Sequence, residues 1–106
     1  MAEEIVVFST CSSRDEAERL TEALISERKA ACVNIIPSLS SVYWWKGKIE
    51  RSEEVLLVIK TLKSLIEEVI TLIKANHSYT VPEIIAVPIV AGNPDYLKWL
   101  RDEVRS

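Results

Sequence analysis

The sequence predicts an α+β fold of element order βαββαβ with a further helix at the C-terminus, and three observations lead to it. Apolar, β-branched runs at Ile5–Phe8, Val55–Ile59 and Ile84–Val87 alternate with segments of helical spacing. Two Ser-x-x-Glu sequences, Ser13–Glu16 and Ser64–Glu67, have capping-box spacing where those helices would start. Between them, Ala31–Thr61 has the pattern of two long strands around a tight turn at Lys46-Gly47-Lys48.

Taken in order, Glu4 to Thr10 is the first strand. Ser13 caps a first helix whose buried stripe holds Ala17, Leu20 and Leu24. Each arm of the hairpin that follows runs to about 13–15 residues, or ~45–50 Å at ~3.3 Å per residue. That is longer than a domain with a radius of gyration near ~13 Å covers. Ser64 opens a second helix with Leu65, Ile66, Val69, Ile70 and Ile73 as its apolar face. Pro82 to Val90 is the fourth strand. Asn93-Pro94 is an N-cap followed by proline at the first helical position, starting a short helix that carries Tyr96, Leu97, Trp99 and Leu100.

Two right-handed crossovers joined by a hairpin give a ferredoxin-like sandwich, here one domain over residues 1–106, with strand order 4-1-3-2. Proline agrees with that order. Pro37 and Pro88 fall in the two edge strands, where a missing N–H is tolerated. Both crossover helices pack on one sheet face, so the other face is expected to alternate to polar residues. It does not. The strands are apolar on both faces, and the overlong hairpin ends in Tyr43, Trp44 and Trp45. Alternation places Tyr43 and Trp45 on one side of the ribbon and Trp44 on the other. The expected partner is another copy of the chain, with these aromatics at the interface. The alternative is a monomer with the terminal helix folded beneath the sheet.

Composition narrows the function classes. A formal net charge of −3 and a pI near 5.2 argue against nucleic acid as the main partner. No apolar run reaches the ~18–20 residues that span a bilayer, so no membrane partner is expected. The acidic start, MAEEIVVF, is unlike a signal peptide and points to the cytoplasm. Cys11 and Cys32 have no CxxC spacing and are expected as free thiols, Cys32 as a small core residue.

Catalytic signatures of hydrolases, metalloproteases and nucleotide enzymes are missing from the sequence, so no enzyme is expected. The one histidine, His77, lies in NHSYTVPE between the second helix and the fourth strand. It reads either as a metal ligand, with Tyr79 and Glu83 as nearby oxygen donors, or as a cap on the helix's last carbonyls. Cys11 is the second candidate ligand: a thiol at the entry to a helix is biased toward thiolate. Its alternative is an ordinary loop thiol. Glu50 and Glu53 read as a solvated edge, whereas Glu54 directly precedes a buried run.

AACVNIIP, SVYWWKGKIERSEEVLLVIKT, HSYTVPEIIAVPI and YLKWL together resemble the CutA divalent-cation-tolerance family across almost the whole chain. The matching residues include Cys32, Pro37, Tyr43, Trp45, Gly47, Glu54, Lys60, Thr61, His77, Tyr79, Pro82, Glu83, Tyr96 and Trp99. The resemblance implies a cytoplasmic, PII-like homotrimer that binds copper or other divalent metal ions and serves the response to them. The downstream partner is left open. Two positions depart from the family pattern. Ser9 stands where some members carry a first-strand cysteine, and Ser78 where the motif has proline. The second reading, from another class, is a PII-like sensor or scaffold whose inter-subunit cleft binds a small anion or metabolite through Lys60 and Thr61, with Tyr79 and Glu83 nearby.

Overall fold

The computed structural model describes residues 3–106. Its elements are β1 (Glu4–Cys11), α1 (Arg14–Ser26), β2 (Cys32–Trp45), β3 (Lys48–Leu62), α2 (Ile66–Asn76), β4 (Ile84–Pro88) and α3 (Pro94–Glu103). The strands form one antiparallel sheet in the order β2-β3-β1-β4, with the predicted neighbours and edges.

The first helix starts as its sequence demands. Ser13 Oγ accepts from the Glu16 N–H at 3.1 Å, while the Glu16 carboxylate reaches back one residue further than in the usual box, to the Ser12 N–H at 2.9 Å. The second capping box does not form. Ser64 sits inside a 3-10 turn, Lys63–Leu65, in which the Ile66 N–H donates to the Lys63 carbonyl, and among the described residues no side chain caps α2. The fourth strand is also shorter than the sequence suggests: pairing ends at Pro88, opposite Ile5.

Alternation along the strands sends Val7, Leu57 and Ile59 to the helical side of the sheet. They are fully buried there against Leu20 and Leu24 of α1 and Val69 and Ile73 of α2. Each such side chain contributes about 1.5–3 kcal/mol relative to exposure. The opposite face is apolar too: Phe8 lies between Val58 and Ile85, and Val6 is paired with Val87. Helix α3 packs against β1 and β3 and is tied by Arg101 to Glu4. It buries Leu100 but leaves Ile36, Ile85 and Val87 exposed. Part of that apolar face therefore has no cover among the described residues.

The hairpin overshoots the sheet as predicted. Strand β1 ends at Cys11, opposite Val55, so Leu39–Trp45 and Lys48–Glu54 continue as a two-stranded ribbon. The molecule measures 44 × 26 × 22 Å as a result. A bulge between Ile36 and Leu39 contains Pro37, so the missing N–H breaks no regular ladder position. At the tip, Lys46 (φ 52°) and Gly47 (φ 77°) are both left-handed, the backbone of a type I′ turn. Trp44 pairs with Ile49, and both are exposed.

Candidate functional site

A cavity of about 650 Å³ opens where the ribbon leaves the sheet. Tyr43 and Trp45 of the ribbon, with Ser41 and Val42 beside them, form one wall, and Thr10, Glu54, Ser78 to Val81 and Glu83 line the rest. That segment is an irregular connection between α2 and β4, so side chains must hold it in place.

His77 is the first of them. Its side chain is fully buried, Nδ1 accepts from the Tyr79 N–H at 3.0 Å, and Nε2 lies 2.8 Å from the Thr10 carbonyl. An amide N–H only donates, so Nδ1 carries the lone pair and Nε2 the proton. Both ring nitrogens are thereby engaged by backbone from β1 and from the loop. Glu16 is the second tie. Its carboxylate is 2 % exposed and accepts from the Ser12 N–H and Oγ at 2.9 and 3.0 Å and from the Ser78 N–H at 2.6 Å. Burial by itself pushes this acid up, but the bonds from Ser12 and Ser78 outweigh it and hold the group down at about 2. At the far end of the segment, Ser9 Oγ donates to the Glu83 carbonyl at 2.8 Å.

With the loop fixed, the Tyr79 hydroxyl donates to Glu54 at 2.8 Å. Burial pushes the Tyr79 phenol up first, and the bond to Glu54 and that carboxylate's charge push it further. Tyr79 is a neutral donor. Glu54 itself is buried at the rim of the cavity.

The sequence-derived candidates divide accordingly. Tyr79 and Glu83 line the cavity together with Tyr43 and Trp45, while Trp44 points away on the other ribbon face. Lys60 does not line it. It lies six positions along β3 from Glu54, roughly 20 Å, hydrogen-bonded to Asn34. Thr61 is buried and donates to the Lys29 carbonyl at 2.6 Å. The expected helix-entry thiolate is corrected. Cys11 is the last residue of β1, fully buried, and pushed up to about 11, by burial first and then by the charge of Glu16. Cys32 is only half-buried, because β2 is an edge strand. His77 stands at the end of α2 yet bonds β1 rather than the helix's carbonyls, and this placing leaves neither nitrogen free for a metal. Among the described residues no three His, Cys, Asp or Glu side chains come together, so one chain by itself does not fit a complete metal centre. Glu16 is the residue that sequence reasoning left as a mere cap. The signal was Glu at the third helical position, but its burial depends on Ser78, 62 residues away.

Residues 5–103 match the profile of the CutA1 divalent ion tolerance protein family. The rice protein CutA 1, chloroplastic, is 50% identical over 101 residues, covering 95% of this chain and 57% of its own length. The divalent-cation tolerance protein CutA of Thermus thermophilus is 46% identical over 99 residues, covering 93% of this chain and 96% of its own. The chain thus spans little more than half of the plant relative. Among solved structures, the divalent cation tolerance protein (Cut A1) of Thermus thermophilus superposes with a TM-score of 0.95 at 45% identity, covering 96% of this chain and 99% of that one. CutA1 from Oryza sativa does so with a TM-score of 0.95 at 48% identity, covering 97% and 94%.

Proposed function

The chain belongs to the CutA1 divalent ion tolerance family, and on that premise we propose that it serves divalent-cation tolerance as a homotrimeric binding protein. Its working site is the cleft bounded by Tyr43, Trp45, Glu54, Tyr79 and Glu83. The family's description is of tolerance and names no reaction, and we read the chain as a binder rather than an enzyme. What supports self-association is the ribbon beyond β1 together with the uncovered apolar sheet face. The two free thiols, Cys11 and Cys32, support a reducing compartment such as the cytoplasm.

The single observation that carries this reading is how His77 is used. A ring whose two nitrogens are spent on Thr10 and Tyr79 is a strut for the cleft wall. The sensor or scaffold reading is therefore favoured over a copper centre built on His77 and Cys11. A divalent metal, copper included, then acts through the assembly or through the cleft's oxygen atoms, which suit harder cations than copper. Calorimetric titration with copper and zinc chlorides, in the parent and in His77→Gln, tests it. Any saturable binding is expected to survive the substitution. Tight copper binding that His77→Gln abolishes would restore the metal-centre reading.

A further inference from the structure

The open face of the sheet carries opposite charges at its two ends. Val55, Leu57, Ile59 and Thr61 of β3 are buried on the helical side, so alternation turns Glu54, Leu56, Val58 and Lys60 to the open one. Among the described residues of the sheet beyond the ribbon, Lys60 is the one basic side chain. It is half-buried opposite Cys32, donates to Asn34 and pairs with no carboxylate of the described residues. At the other end, Glu54 and Glu83 line the cavity with no lysine or arginine among its other lining residues. Neither acid forms an ion pair among the described residues. Roughly 20 Å of strand separates Glu54 from Lys60.

Cover for this face is what the assembly requires. Apolar side chains laid over Lys60 would leave a desolvated cation without a partner, which opposes the contact. The covering surface has to bring an acid. We propose that Lys60 of one copy enters the cavity of the next and pairs with its Glu54 and Glu83, the lysine stem lying against Tyr43 and Trp45. The cavity, about 650 Å³, has room for that side chain. Repeated from copy to copy around a ring, the contact satisfies every Lys60 and every acidic cavity once, with no free end. The proposal rests on the homotrimer reading and adds that its cleft lies between subunits, with two carboxylates from one copy and the base from its neighbour. The competing acid is Glu50, which pairs with Tyr43 across the ribbon and so shares its side. Glu50 stands outside the cavity, where two carboxylates converge.

The test is a charge swap read by sedimentation velocity, with circular dichroism as the check on folding. Lys60→Glu brings three carboxylates together and should raise the concentration at which the trimer dissociates by about tenfold or more. Adding Glu83→Lys should restore most of that loss, although the two residues form no ion pair within one chain. Adding Glu50→Lys instead should restore none of it. Glu54 is left unchanged because it also holds Tyr79. Carbodiimide coupling of the parent needs no variant, since it condenses an amine with a carboxylate in direct contact. Peptide mapping of the cross-linked dimer band should find Lys60 joined to Glu83 or Glu54. A trimer that Lys60→Glu leaves intact, that Glu50→Lys rescues instead, or whose Lys60 couples to neither acid would overturn the pairing and leave the assembly standing. A monomeric parent would overturn both.

Discussion

The hydroxyl of Tyr79 and the carboxylate of Glu54, 25 residues apart in the chain, meet at 2.8 Å. The bond joins the α2–β4 segment to the last residue of β3 before it enters the three-stranded part of the sheet. Everything behind Tyr79 serves to put it there. His77 fixes its backbone N–H, and Glu16 fixes Ser78 beside it.

Removing that hydroxyl is the simplest perturbation. Tyr79→Phe leaves Glu54 Oε2 buried without its donor and should cost about 1–3 kcal/mol in urea denaturation. An unchanged midpoint would mean that solvent replaces the phenol.

Glu16 gives the protein an acid-side pH dependence. Its folded value of about 2 lies below its ordinary 4.5. Its stabilisation is therefore complete above 4.5 and disappears as pH falls through about 2. Linkage puts the contribution at about 3 kcal/mol. Denaturation of the parent and Glu16→Gln between about pH 6 and about pH 3 checks the sign. The gap between them should narrow toward acid, and a constant gap would contradict the assignment.

Cys11 should be inert in the folded protein. A buried thiol pushed up to about 11 is protonated at neutral pH and closed to reagents. In a Cys32→Ser variant, an aromatic disulfide reagent should find no reactive thiol until urea is added. Rapid reaction in the native state would show that β1 opens at its end.

Assembly is tested at the ribbon. Light scattering should give about three times 12.0 kDa, because the ribbon and the exposed face of Ile36, Ile85 and Val87 need cover. Trp45→Ala should dissociate the trimer, with a loss of about 3–5 kcal/mol if the ring is fully buried there. A monomeric parent, or a variant as trimeric and as stable as the parent, would contradict the assembly.

Most of the fold was legible because its signals are local. The Ser13 cap, the Ala17, Leu20 and Leu24 stripe, the Lys46-Gly47 turn and the edge prolines each determine their own neighbourhood. Ser64 misled because a 3-10 turn already satisfies the Ile66 N–H, one of the groups that a capping side chain would take. The site was harder to read, since its decisive contacts span long separations. Nothing near His77 announces that its ring turns to Thr10, 67 residues away, or that Glu16 is buried by Ser78. Cys11 was misjudged by one strand residue, which exchanged a helix-entry environment for the core. The second reading put Lys60, Tyr79 and Glu83 at a cleft between subunits, which one chain does not test; within the chain Tyr79 and Glu83 line a common cavity and Lys60 lies apart from it.

The role of His77 can be measured without assignment, because the chain has one histidine. Long-range nitrogen–proton NMR of the labelled imidazole reads its tautomer directly. The proton is expected on Nε2, with Nδ1 accepting, and neither nitrogen is expected to change when zinc chloride is added in excess. A ring protonated on Nδ1, or one whose nitrogen resonance shifts to a metal-bound position with zinc, would contradict it.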